Sequence, residues 1–152
     1  MVTSAARSQR ILVVDDEPII RMILAESLAD AGYSVVAARN GAEALDRAEQ
    51  HPSDVVLLDL LMPGMDGLKF LRERQVHPRL SKVPVIVLSA AGVDGLRDAV
   101  ELRASAVLSK PVDLDVLSAV IDHVLREWRR SVPDLQADWK SRHARRGRRR
   151  PR

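Results

Sequence analysis

Short, wholly apolar runs alternate along this chain with stretches in which apolar residues recur every three or four positions. The first run, Ile11 to Val14, ends at Asp15-Asp16-Glu17, and Pro18 suits the first turn of a helix. From Ile19 to Ala31 the residues Ile20, Ile23, Leu24, Leu28 and Ala31 keep helical spacing, and Gly32 supplies the stop. Ser34 to Ala38 reads as a second strand. Asn40, with Glu43 three residues later, reads as the cap of a helix that runs to Gln50 and is closed by Pro52. Asp54 to Asp59 is an apolar strand bracketed by Asp, followed by the loop Met62-Pro63-Gly64-Met65-Asp66-Gly67 and a short helix from Leu68 to Gln75. Pro84 to Ser89 is a fourth strand, Asp94 to Arg103 a fourth helix, and Ala106 to Ser109 a fifth strand ahead of Lys110-Pro111. In the last helix Leu114, Leu117, Ile121, Val124 and Trp128 alternate spacings of three and four, with Asp113 as N-cap and Pro133 as terminator.

Five strand-helix units imply an α/β fold with a parallel sheet covered on both faces. The number of units fits the flavodoxin-like (βα)5 doubly wound arrangement, a five-stranded parallel sheet of order 2-1-3-4-5. At 152 residues and 46% apolar, the chain has one domain's worth of core and is too short for a barrel of eight βα units. It has no Cys, which excludes disulfides, thiol chemistry and Cys-based zinc sites. No long apolar segment or signal-peptide pattern is present, so a cytoplasmic location is expected. Charge divides the chain. Residues 1–127 hold 19 acidic and 14 basic groups, whereas 128–152 hold 2 and 10. The expected organisation is a flexible leader over 1–9, a folded domain over 10–130 and a basic, disordered tail over 131–152. The tail is too short for a folded DNA-binding output domain.

Ligands of such sheets bind at the carboxyl ends of the strands, where strand order reverses between strands 1 and 3. Asp15, Asp16 and Asp59 end those strands. A strand-ending Asp often only caps the next helix, but three converging carboxylates need a further account. Two of them about 4 Å apart repel by about 4 kcal/mol at an effective dielectric of about 20, so the cluster should hold a proton or bind a cation. Oxygen-only ligands favour Mg²⁺. Ser89 and Lys110 end strands 4 and 5 and bring a hydroxyl and an ammonium to the same rim. A lone Ser there is commonly a cap and a lone Lys commonly solvated, yet Pro111 restricts the backbone around Lys110. Metal, carboxylate nucleophile, hydroxyl and ammonium together describe phosphoryl transfer through an aspartyl phosphate.

Asp15-Asp16, the strand Asp54 to Asp59 with the loop Met62 to Gly67, Ser89-Ala90 and Lys110-Pro111 resemble the receiver domain of bacterial two-component response regulators, of the single-domain type. The resemblance covers about Arg10 to Arg130. It implies Asp59 as phosphoacceptor, Asp16 as direct Mg²⁺ ligand, Asp15 as a partner acting through water, and the Leu61 backbone carbonyl completing the metal site. It also implies Ser89 and Lys110 on the phosphoryl group, a cis Lys110–Pro111 bond, and a histidine kinase or phosphotransfer protein as donor. Such a protein is a stoichiometric phosphoacceptor that contacts a downstream protein through its helix 4, strand 5 and helix 5 face. A phosphorelay carrier or phosphate sink without conformational output is the alternative.

Four departures qualify the resemblance. Val107 stands where the family has Tyr or Phe, so coupling of a hydroxyl to an aromatic rotamer cannot operate. The Ser89 to Lys110 spacing is one residue short, and Arg103-Ala104 replaces Gly-Ala, which predicts a displaced or frayed fourth helix. Leu61 and Ala91 are apolar where relatives modulate attack of water, which predicts a long-lived phosphoryl group. A haloacid-dehalogenase-type phosphatase would need an Asp two residues after the nucleophile, where Leu61 stands.

Between Lys140 and Arg152 eight of thirteen residues are Lys or Arg and none is acidic. The tail is either a solubilising segment or a non-specific ligand for a nucleic acid, an anionic membrane or an acidic protein surface. No sequence-specific DNA binding is expected, because nothing in it would read bases.

Overall fold

The computed structural model describes residues 9–60, 67–90 and 93–131. Five strands and five helices alternate: β1 (Arg10–Val14), α1 (Pro18–Asp30), β2 (Ser34–Ala38), α2 (Gly41–Gln50), β3 (Val55–Asp59), α3 (Gly67–Arg74), β4 (Val85–Ser89), α4 (Val93–Glu101), β5 (Ala106–Ser109) and α5 (Leu114–Ser131). All strand pairs are parallel, and the sheet order is β2-β1-β3-β4-β5, as the pattern of runs predicts. The central strands β3 and β4 are buried at every position because helices cover both faces.

Alternate side chains of each strand feed two cores. Leu12, Val14, Val56, Leu58, Val85 and Val87 pack with Ala44 and Ala48 of α2, Phe70 and Leu71 of α3 and Ala99 of α4. Ile11, Val13, Val55, Leu57, Ile86 and Leu88 pack with Leu24 and Leu28 of α1 and Leu117, Ile121, Val124 and Leu125 of α5. The apolar stripes predicted for α1 and α5 are narrower in the fold than in the sequence. Ile23 of α1, Ala31 at its C-cap and Leu114 of α5 are exposed. Trp128 turns its indole N–H to the Lys82 carbonyl at 2.6 Å and so ties the end of α5 to the chain entering β4.

The predicted caps act as expected. Asn40 Oδ1 accepts from the Glu43 N–H at 2.8 Å, and Asp113 Oδ1 accepts from Asp115 and Val116 N–H at 2.8 and 3.2 Å. Gly32 closes α1 with φ of 98°, in the left-handed region where only Gly is free of Cβ strain. Helix α4 ends at Glu101, two residues before the expected Arg103. Arg103 itself takes φ of 65°, and the Ala104 N–H returns to the Ala99 carbonyl at 3.0 Å. The non-Gly residue is held there from the end of α3: the Arg74 Nη2 donates to the Arg103 carbonyl at 3.1 Å and Gln75 Nε2 to the Leu102 carbonyl at 3.3 Å. Arg74 Nη1 also donates to the carbonyls of Val83 (3.0 Å) and Leu80 (3.3 Å), so one buried guanidinium gathers three segments at the amino-terminal edge of the sheet.

Candidate functional site

Strand register builds the site at the opposite, carboxyl-terminal edge. Val14 pairs with Leu58, so the next residue of each strand, Asp15 and Asp59, emerges side by side where the strand order reverses. Asp59 in turn pairs with Leu88, and Ser89 pairs with Ser109, which places Ser89 and Lys110 on the same rim. The Lys110 N–H donates to the Ser89 carbonyl at 3.0 Å, and the Lys110–Pro111 peptide bond is cis, as the resemblance implies. Asp15, Asp59 and Ser89 are buried, and Asp16 is half-buried.

The carboxylates are engaged unequally. Asp15 Oδ1 accepts from the Glu17 N–H at 2.9 Å, so this Asp does hold the turn into α1, while its Oδ2 accepts from Lys110 Nζ at 3.1 Å. Lys110 Nζ lies 3.3 Å from Asp59 Oδ2 and so bridges the two strand-ending carboxylates. Burial alone would lower the Lys110 pKa. The hydrogen bond and charge of Asp15, with the charge of Asp59, outweigh it and hold the ammonium above the ordinary lysine value. Asp16 makes no hydrogen bond or ion pair among the described residues.

Asp15, Asp16 and Asp59 each offer a carboxylate oxygen, and these oxygens lie within 4.8 Å of one another. Three carboxylates and one ammonium leave a net charge of −2, which one divalent cation balances. An all-oxygen donor set of this kind fits Mg²⁺. A buried carboxylate beside an ammonium, a cation site and a hydroxyl is equipped to receive a phosphoryl group, since each developing negative charge meets a fixed positive partner or donor.

A family profile described as the response regulator receiver domain matches residues 11–122. The chain belongs to that family. Among curated relatives, the regulatory protein AtoC of Escherichia coli (strain K12) is 40% identical over 119 residues, which are 77% of this chain and 25% of AtoC. Sporulation initiation phosphotransferase F of Bacillus subtilis (strain 168) is 35% identical over 119 residues, 78% of this chain and 94% of that protein. The chain spans about a quarter of AtoC and of the NtrC regulators it matches. Among solved structures, the Vibrio cholerae chemotaxis protein CheY4 aligns with a TM-score of 0.74 at 28% identity, covering 78% of this chain and 99% of CheY4. The receiver fold, phosphoryl-accepting signalling and the Mg²⁺-type acidic cluster predicted from sequence are therefore those of this chain's family. Phosphoacceptor character is stoichiometric in such a domain. No helix among the described residues is long and apolar enough to cross a membrane.

The receiver domain unites Asp15, Asp16, Asp59, Ser89 and Lys110 at one edge. The Leu61 carbonyl and Ala91 fall outside the described residues, as do Met62 to Asp66 of the loop, residues 1–8 of the expected 1–9 leader and residues 132–152 of the expected 131–152 tail. Val107 is half-buried, packs with the α2–α4 core and pairs with Val87. Gly67 explains a requirement that the loop motif does not reveal: a Cβ there would lie 2.5 Å from the Asp59 carbonyl oxygen and from Leu60 Cα. Sequence reading also passed over Arg21, whose Nη1 donates to the Asp15 carbonyl at 2.8 Å. Its available signal was a cation in the opening turns of a helix, against the helix dipole.

Proposed function

We propose that Asp59 is the phosphoacceptor of this receiver domain, which extends over residues 10–130, and that a histidine kinase or phosphotransfer protein is the donor. The observation that carries the proposal is Lys110 bridging Asp15 and Asp59 at 3.1 and 3.3 Å beside Asp16. An Asp59 carboxylate oxygen forms the new O–P bond as the donor's P–N bond breaks and the histidine nitrogen keeps the bonding pair. Lys110 meets the incoming charge, and Ser89, one residue past the partner of Asp59 on β4, donates its hydroxyl to a phosphoryl oxygen. Asp16 and Asp59, with Asp15 acting through water and the Leu61 carbonyl, would hold Mg²⁺, which supplies charge neutralisation on the transferring group.

Output then runs through protein contacts on the α4-β5-α5 face, since phosphorylation adds charge and acceptor oxygens at the loops that carry Ser89 and Lys110. Val107 favours a second reading, a phosphorelay carrier, because it offers no aromatic rotamer to couple to the Ser89 hydroxyl. That the named relative from Bacillus subtilis is a phosphotransferase supports it. Residues 131–152 add a basic segment for non-specific contact with polyanions.

Incubation with Mg²⁺ and acetyl phosphate, followed by intact-mass measurement, tests the acceptor. Wild type gains one phosphoryl group and Asp59→Ala gains none. Equal labelling of the two would place the acceptor elsewhere.

A further inference from the structure

We infer that Arg21 is a positioning residue for the cation site: its guanidinium holds the Asp15–Asp16 peptide in the orientation that presents the Asp16 carboxylate to Mg²⁺. The inference rests on the acceptor reading above. Asp15 is fixed on every other side. Its N–H donates to the Ala38 carbonyl at 3.1 Å, its Oδ1 accepts from Glu17 and its Oδ2 from Lys110. The freedom that remains is rotation of the planar peptide unit joining Asp15 to Asp16, and the Arg21 Nη1 bond of 2.8 Å to the Asp15 carbonyl removes it. That rotation sets the Cα–Cβ direction of Asp16. Because the Asp16 carboxylate has no partner of its own among the described residues, no side-chain contact there substitutes for the backbone in placing it.

Helix stability does not account for Arg21. It stands fourth in α1, where a cation opposes the helix dipole, and no acidic residue occupies the first turn. It makes no ion pair among the described residues, so its contact with the Asp15 carbonyl is the interaction that its position serves.

Charge and positioning predict opposite signs. As a charge beside the cluster, Arg21 repels Mg²⁺, and its removal would tighten binding. As a positioning residue, its removal weakens binding. Calorimetric titration of the full chain with MgCl2 separates them, using wild type, Arg21→Met and Arg21→Ala, both strong helix formers. The expected result is a rise in Mg²⁺ Kd of about tenfold in both variants, the usual scale for residues that orient a metal ligand. Labelling by acetyl phosphate should need correspondingly more Mg²⁺ for half its maximal rate, with the rate at saturating Mg²⁺ close to wild type. Unchanged or tighter binding in either folded variant overturns the inference, and so does loss of native circular dichroism in both. Failure of the wild type itself to bind Mg²⁺ would instead overturn the acceptor reading and this inference with it.

Discussion

Arg74 and Lys110 are both cations withdrawn from water, and the receiver domain satisfies them in opposite ways at opposite edges of its sheet. Arg74, 5% exposed, faces backbone carbonyls of Leu80, Val83 and Arg103, and its Nε has no partner among the described residues. Burial lowers its pKa, because the surrounding carbonyl dipoles do not make good the loss of water. Lys110 faces Asp15 and Asp59, and those anions raise its pKa despite burial. The dipoles around Arg74 are neutral and permanent, so that cation can only hold segments together. The anions around Lys110 are charges that a divalent cation or a phosphoryl group can rebalance, so the same edge can change state. A cation paired with dipoles makes a clamp, and a cation paired with carboxylates makes an exchangeable charge.

The largest expected effect tests the clamp. Arg74→Ala leaves three carbonyls without their donor and opens a cavity, which should cost about 3–5 kcal/mol in urea unfolding, with Mg²⁺ giving no specific recovery. Recovery of Arg74→Ala by Mg²⁺ would break the distinction between the two edges. Lys110→Met should cost less, about 1–2 kcal/mol without Mg²⁺, and Mg²⁺ should restore most of it by taking over the charge balance. Because the folded Lys110 pKa lies above the unfolded value, its contribution is complete below about pH 10.4 and is lost as pH rises through the folded pKa. The stability difference between wild type and Lys110→Met should therefore stay level from neutral pH and shrink in strongly alkaline solution. The smallest effect sharpens the account of the clamp: Arg103→Gly should stabilise by about 0.5–1 kcal/mol, since Gly takes the left-handed backbone without Cβ strain while the carbonyl held by Arg74 is kept. A loss of stability in a thermal melt would show that the Arg103 side chain, not its backbone, matters there.

Much of the fold was legible because its signals are local. Asn40 and Asp113 cap their helices through their own neighbours, Gly32 stops α1, and runs such as Val55 to Leu58 are apolar throughout because the sheet is covered on both faces. Boundaries shifted by a residue or two where long-range contacts intervene, as at α4, which closes early because Arg74 and Gln75 reach the Leu102–Arg103 turn. Where a displaced or frayed α4 was expected, the helix closes at Glu101 and Arg103 takes a left-handed backbone. The site was legible for a different reason. Carboxylates, a hydroxyl and an ammonium at strand ends are rare enough in kind that their positions carry information.

The sequence alone therefore determined the order of elements, the two-sided burial of the sheet and the residue types at its carboxyl edge, because periodicity, caps and side-chain chemistry are written residue by residue. The tertiary structure decided that Arg21 grips the Asp15 carbonyl, that Arg74 gathers Leu80, Val83 and Arg103, that Trp128 holds Lys82, and that Gly67 must lie against Asp59. The acceptors of those contacts are backbone carbonyls. Every residue has one, so only folding selects which carbonyl a distant side chain will meet.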